Sequence, residues 1–360
     1  MFPTGAAAPD IDRLTALRAR LESLAPQTRR VGPWESGAFG ALADSGLLAG
    51  FVPPGCGGTG AGEGAILAAL AEVARACLTT ALALTQWASA CRLVASGEDS
   101  LRAELLPRLA RGEETTTVGI AQLTTSRQHL GAPALRATRR GASWWLDGVC
   151  PWVTGADSVD SIVTGAVADD GAPVFFVVRT GAPGLSIDPP MELLALSAAR
   201  TSRVAFDGVE PAAAIHPAGP PPARAAGGPA ARAGGLATTS LALGATRSSI
   251  DLLRHEAAAR GDLGRIADGF AAETDALASR MVAAAVDSSP GQRDELRRAA
   301  NGLVVRASQA ALVASKGAGF TAGHPAERGV REAMLFLVWS CPSQVAQAVM
   351  CELACLDAGG

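Results

Sequence analysis

The order of apolar and polar positions divides the chain into three stretches of different character. In the first third, Ile66, Leu70, Val73 and Cys77 recur at spacings of three and four, which predicts a helix with one buried stripe. Gly97 and the Leu106-Pro107 step punctuate the rest of this third. From Thr115 the pattern turns to short β-rich runs: Thr116–Leu123, Trp144–Leu146, Ser161–Val167 and Val174–Arg179. Asp147-Gly148, Asp169-Asp170-Gly171 and Asp207-Gly208 read as turns between them. Together they predict an antiparallel β-domain. Helical periodicity then returns over Leu236–His255, Phe270–Val286, Asp294–Ser315 and from Arg328 to the end, broken at Pro290-Gly291 and Gly317–Gly323. The predicted organisation is α+β. A helical domain spans residues 1–114 and a β-domain 115–216, followed by a Pro/Gly/Ala-rich connector over 217–235 and a helical bundle over 236–360.

Composition narrows the chemistry. A chain of 360 residues can bury a large core. Its hydrophobic fraction of 48% comes without an apolar run near ~18 residues, so no membrane span is expected. Met1 to Pro9 holds no basic residue ahead of an apolar stretch, and no secretory signal is expected. The net charge of -3 argues against a nucleic-acid polymer as partner. Lys316 is the only lysine and there is no tyrosine, which removes tyrosine as a general acid and leaves one amine for Schiff-base chemistry. The seven cysteines, Cys56, Cys77, Cys91, Cys150, Cys341, Cys351 and Cys355, form no CxxC pair and no His-flanked cluster. Neither a disulfide framework nor a zinc site is indicated, and a reduced, cytoplasmic protein is expected. Cys351 and Cys355 are placed together on a helix.

One segment of the β region is more specific. Trp145-Leu146-Asp147-Gly148-Val149-Cys150-Pro151-Trp152-Val153-Thr154-Gly155-Ala156 resembles the acyl-CoA dehydrogenase signature of an aromatic, an apolar residue, Asn/Asp-Gly, a spacer and Trp-Ile/Val-Thr. Further resemblances occur in order: Val52 to Gly60, the Leu106-Pro107 and Gly112-Glu113 steps, Phe206 to Pro211, and Gly319-Phe320 through Pro325, Glu327 and Arg331-Glu332. The resemblance runs over nearly the whole chain. It implies an acyl-CoA dehydrogenase-like fold with an N-terminal α-helical domain, a middle antiparallel β-domain and a C-terminal helical bundle. It also implies bound FAD, an acyl thioester or related small molecule as substrate, and a homodimer, tetramer or heteromer with a homologous subunit. A flavin needs hydrogen-bond donors along the edges that gain charge on reduction. The resemblance assigns that role to Thr154, packing against the ring to Trp152 with Val153 beside it, and the pyrimidine side to Leu123 (through its backbone) and Thr124. Arg260, in Arg260-Gly261-Asp262-Leu263-Gly264, resembles the arginine that reaches the flavin pyrophosphate of a neighbouring subunit, a ligand suited to a guanidinium.

The same resemblance exposes a departure. The family's glutamate base falls at Ser340, in Trp339-Ser340-Cys341-Pro342, and a serine hydroxyl is too weak a base to remove an α-proton unaided. The alternative base position falls near Gly234, again without a carboxylate. Thr124 to Gly131 departs from the family's CoA-clasping loop, and Val313 to Gly319 from part of its flavin-adenine site. Glu327 and Glu332 match structural positions of the family. Asp251 and Glu256 are expected on a solvated helix face, and His129 and His324 at the surface. Cys341 stands before the last helix, where a helix N-terminus lowers a thiol pKa, and is the unorthodox catalytic candidate. Three functions fit: an acyl-CoA dehydrogenase-like oxidoreductase, a flavin-dependent monooxygenase or oxidase of the same fold, and a partner subunit without a base.

Overall fold

A computed structural model of the chain describes residues 11–25, 36–124, 133–215, 235–286, 289–339 and 343–355. The first region holds α1 (Ile11–Leu24), α2 (Ser36–Asp44), α3 (Leu47–Gly50), α4 (Glu63–Ala76), α5 (Leu78–Ala95) and α6 (Asp99–Ala110). The predicted stripe lies on α4, where Leu70 and Val73 are buried and Cys77 comes just past its end. Gly97 separates α5 from α6 as expected, but Pro107 does not break the chain. It sits inside α6, in the last turn, and forgoes the bond that a residue-107 N–H would give to the Ala103 carbonyl.

The middle region runs β1 (Thr116–Gly119), α7 (Ala121–Thr124), β2 (Leu135–Arg140), β3 (Ser143–Val153), β4 (Ser161–Ala168), β5 (Pro173–Arg179), β6 (Leu185–Ile187), β7 (Ser202–Val209) and β8 (Ala213–Ile215). The strands form one sheet in the order β6-β7-β3-β2-β4-β5-β8, with β1 also paired to β4. Antiparallel pairing dominates, yet the sheet is mixed. β1 runs parallel to β4 along Ser161–Thr164, and β2 runs parallel to it at Val167 and Ala168. The predicted run Thr116–Leu123 therefore splits: its strand stops at Gly119, and Leu123 belongs to the helical turn α7.

Of the three Asp-Gly signals, only Asp169-Asp170-Gly171 is a turn between strands. Asp147-Gly148 lies within β3 and Asp207-Gly208 within β7, at irregular register. The two pairs face each other, the Gly208 N–H donating to Asp147 Oδ1 at 2.8 Å. Gly148 takes φ 130°, and a Cβ there would lie 2.2 Å from the Ala134 carbonyl oxygen, so glycine here makes a bulge.

The C-terminal helices are α8 (Leu236–Ala257), α9 (Asp262–Val286), α10 (Pro290–Gly319), α11 (Pro325–Ala333), α12 (Leu335–Val338) and α13 (Ser343–Leu353). Because α13 ends at Leu353, Cys355 lies in a turn beyond it rather than on the helix with Cys351. The first and last regions share one core. Leu42, Leu70 and Trp87 are in the same cluster as Leu243, Leu303 and Phe336, and complete burial of such a side chain stabilises by about 1.5–3 kcal/mol. Gly244 allows the close approach of α8 to α4, since a Cβ there would lie 2.2 Å from the Ala71 carbonyl oxygen. The sheet contributes to both sides. Val163 and Val177 face this helical core, whereas Ile162, Phe176 and Val178 pack with Leu146, Cys150 and Val204 in a second one. Among the described residues no helix is long and apolar enough to cross a membrane.

Charges stitch these layers together. Glu114 is 2% exposed and pairs with Arg108 of α6 at 3.0 Å and with Arg179 of β5. Asp251, expected on a solvated face, accepts two hydrogen bonds from Arg75 of α4 at 2.6 and 2.7 Å. Removing the Glu114 charge strands two partly exposed guanidinium groups, so Glu114→Gln is expected to lower unfolding free energy by roughly 1.5–3 kcal/mol, read from denaturant midpoints. Near the end of α10, Lys316 holds φ 52° and ψ -145°, a backbone state that disfavours any side chain. Lys316→Gly is expected to raise stability by about 1 kcal/mol, seen as a higher thermal midpoint; an unchanged or lower midpoint contradicts the strain.

Candidate functional site

The end of β3 collects most of the residues singled out from sequence. Against β7 the register shifts between Cys150 and Val153, and Pro151 within this stretch has no N–H to give to a ladder. The irregularity turns Trp152 outward, leaving it 42% exposed, while Val153 and Thr154 are buried. Thr154 is held twice. Its carbonyl accepts from the Thr117 hydroxyl of β1 at 2.8 Å, and its own hydroxyl lies 3.4 Å from that of Thr201. The Gly155 N–H donates to the carbonyls of Ala199 and Arg200, which fixes the loop before β7 against this turn. That loop contains two non-glycine residues with left-handed backbone, Leu196 at φ 63° and Arg200 at φ 51°. A void of about 10 Å³ lies beside Thr154, lined by Phe39, Ala83, Thr115, Thr116, Thr117 and Val159, room for one water.

α7 packs against the same strand. Gln122 anchors it, its amide nitrogen donating to the Gly165 carbonyl of β4 at 2.6 Å. A Cβ on Gly165 would lie 2.4 Å from Leu123 Cδ1, so glycine makes room for that leucine. The Leu123 N–H donates to the Ile120 carbonyl at 2.9 Å and is committed within the chain. Of Thr124 only the backbone, in α7, is described.

The structure thus brings Leu123 and Thr124 together with Trp152, Val153 and Thr154. It sets Arg260 elsewhere, beyond the end of α8, where the guanidinium is bound to Glu256 at 2.7 Å and to the Ala314 carbonyl of α10. Glu256, expected to be solvated, is therefore paired. Ser340, Cys341 and His129 lie outside the described residues, as do residues 217–234 of the connector. The approach to Ser340 is held by α10: Arg297, fully buried, donates to the Trp339 carbonyl at 3.1 Å, and Asn301 to the Phe336 carbonyl at 2.7 Å. His324 serves as a helix cap, its Nδ1 accepting the Ala326 N–H at 3.1 Å. Glu327 pairs with Arg331, which also donates to the Leu194 carbonyl at 2.9 Å.

Cys150 and Asp157 are titratable groups near Thr154 with shifted values. The Cys150 thiol is fully buried and pushed up to about 12 by that burial, which leaves it inert as a nucleophile at neutral pH. Burial also pushes the Asp157 carboxyl upward, but hydrogen bonds from Arg200 and Ser158 outweigh this and hold it below its ordinary value. The Asp157–Arg200 pair, Thr117 and Thr201 were not foreseen. No spacing rule links positions 43 apart, and the threonine run around 116 gave only a strand signal.

A depressed carboxylate stabilises the folded state above its unfolded pKa of about 3.9, and that contribution is lost as pH falls through the lower folded value. Asp157→Asn is therefore expected to be less stable than the parent chain at pH 7, with the two thermal midpoints converging below about pH 4. A gap that persists unchanged at low pH contradicts the pairing.

Comparison with known proteins agrees with this architecture. Residues 15–113 match the family model described as acyl-CoA dehydrogenase, N-terminal domain. Cyclohex-1-ene-1-carbonyl-CoA dehydrogenase of Syntrophus aciditrophicus (strain SB) is 28% identical over 47% of this chain and 42% of its own length. The chain thus spans less than two thirds of that relative. Probable acyl-CoA dehydrogenase YngJ of Bacillus subtilis (strain 168) is 24% identical over 91% of this chain and 93% of its own. Butyryl-CoA dehydrogenase from Megasphaera elsdenii superposes with a TM-score of 0.79 at 15% identity, covering 98% of this chain and 100% of that one. KijD3, solved in complex with FMN and a dTDP-linked amino keto sugar, superposes with a TM-score of 0.74 at 22% identity, covering 99% and 95%. The order of helices, sheet and helices is thus that of the acyl-CoA dehydrogenase fold, and the match to the family model lies in the N-terminal helical region.

Proposed function

We propose that the chain is a member of the acyl-CoA dehydrogenase superfamily and a flavin-dependent oxidoreductase, acting on an acyl thioester or a related small molecule without that superfamily's glutamate base. The observation that carries the proposal is the outward-turned indole of Trp152 beside the buried hydroxyl pair of Thr154 and Thr201. These residues fit a flavin in kind. An aromatic face accepts a flat ring, and hydroxyls supply the donors its edges require. The 3.4 Å separation of the two hydroxyls is long for an O–H···O bond, so either can turn to a better acceptor. A bound flavin would accept two electrons from the substrate. Trp152 and Val153 would hold its ring and Thr154 would donate to its edge. The backbone of Leu123 and Thr124 would border the pyrimidine side, with the Leu123 N–H already committed to Ile120. By the sequence resemblance Ser340 replaces the carboxylate that would take the substrate's proton, so proton removal would fall to another group or not be part of the reaction.

A second reading is oxygen-dependent flavin chemistry on the same fold, which would not need an α-proton base. KijD3, of the same fold, was solved with FMN and a sugar nucleotide, which shows that this scaffold accommodates ligands other than acyl thioesters. A partner subunit without a base is the third reading, and it would take its catalytic carboxylate from a homologous chain.

Purified protein incubated with FAD or FMN and then desalted is expected to retain absorbance near ~450 nm. Trp152→Ala is expected to weaken retention about 3- to 10-fold with the fold unchanged, because the side chain is 42% exposed. A chain that stays colourless with both flavins, or a variant that binds as tightly as the parent, contradicts the assignment. Loss of the visible band on adding an acyl thioester without oxygen selects the first reading. Substrate-dependent oxygen uptake without such bleaching selects the second.

A further inference from the structure

The turn end of the hairpin of β2 and β3 is at the opposite end of β3 from Trp152 and gathers three arginines. Its strands pair Arg136 with Asp147, Thr138 with Trp145, Arg139 with Trp144 and Arg140 with Ser143. They are joined through Gly141, which takes the positive φ of 64° that tight two-residue turns favour. Arg136, Arg139 and Arg140 are all exposed. Many arginines elsewhere are paired with carboxylates, as in Arg75–Asp251, Arg200–Asp157 and Arg331–Glu327. Among the described residues none of the three hairpin arginines makes an ion pair. Asp147, opposite Arg136, accepts the Gly208 N–H instead, and Asp170 of the neighbouring turn accepts the Ala172 N–H.

Two of these arginines are held by stacking. The Arg140 guanidinium lies 5.1 Å from the ring centre of Trp145, and that of Arg139 lies 5.8 Å from Trp144. Trp144 is itself braced edge-on against Phe176 in the core of the sheet. Arg139 Nε donates to the Gly141 carbonyl at 3.3 Å, which leaves its two terminal nitrogens; a guanidinium stacked on an indole keeps such donors accessible, and its ordering cost is met before any partner arrives. We infer that this hairpin is a docking site for an acidic protein surface, with the stacked Arg139 and Arg140 presenting bidentate donors to carboxylates and Arg136 adding long-range attraction.

Shape and charge select that partner. The tip of a hairpin is convex, whereas small ligands are bound in concave sites, so the occupant is a macromolecule. A nucleic acid or an anionic membrane extends well beyond the hairpin and would meet the field of a chain whose net charge is -3, which disfavours both. A compact cluster of carboxylates on a folded partner meets only the hairpin.

The test uses the full chain and three probes: a ten-residue glutamate peptide, a ten-residue thymidine oligonucleotide, and vesicles of phosphatidylserine and phosphatidylcholine. Binding is measured at about 20 and 300 mM salt, where screening differs several-fold. The peptide is expected to bind at low salt and to weaken about tenfold in R136Q/R139Q/R140Q. The control R280Q/R298Q/R306Q, which removes the same charge from paired arginines, is expected to bind like the parent chain. Arg140→Lys keeps the charge but loses the planar fork, and is expected to weaken binding about threefold. The proposal is overturned if the peptide fails to bind, if the two triple variants lose equally, or if the oligonucleotide or the vesicles bind more tightly than the peptide.

Discussion

The hydrogen bond from the Thr117 hydroxyl to the Thr154 carbonyl is the constraint around which the site is organised. β1 and β3 are not ladder neighbours, since β1 pairs with β4 and β3 with β2 and β7. The threonine bond therefore ties the first strand after the helical region to the last residue before the chain turns away from β3. With that end fixed, the bulge at Pro151 has one outlet, and Trp152 points outward. A buried hydroxyl bonded to a buried carbonyl satisfies both groups; without it, the same place would hold an uncompensated carbonyl at the junction of three segments.

Arginine joins many of the layers in this nearly lysine-free chain. Arg75 links α4 to α8 through Asp251, Arg108 and Arg179 meet at Glu114 between α6 and the sheet, and Arg331 reaches the Leu194 carbonyl from α11. A planar guanidinium that can serve two acceptors suits such junctions better than a point charge. The hairpin arginines differ from these junctions in that Arg136, Arg139 and Arg140 are exposed and make no ion pair among the described residues.

Much of the architecture was legible in the chain itself. Helical stripes such as Leu70 to Cys77, and the runs at 161–167 and 174–179, matched elements closely because each has one periodicity and an unambiguous buried face. Asp-Gly was a poorer guide. The same dipeptide makes a turn when it ends a strand and a bulge when a partner strand continues past it, and only tertiary pairing distinguishes the two. Parallel pairing of β1 and β2 along β4 was hidden for the same reason, since strand direction is not written in local pattern. At the candidate site, a motif singled out Trp152 and Thr154, which the structure sets at the end of β3. Thr117, Thr201 and the Asp157–Arg200 pair were not legible, because they act across long sequence separations and carry no distinctive spacing.

The central proposal is that the end of β3 presents an aromatic face and a hydroxyl donor to a flavin, with Ser340 in place of a carboxylate base. A crystal structure determined with FAD or FMN bound would test it most directly. The account predicts the ring against Trp152, its edge within hydrogen-bond reach of the Thr154 hydroxyl, and Ser340 rather than a carboxylate across the cavity. A flavin seated away from β3, or a glutamate or aspartate facing the ring, would contradict it.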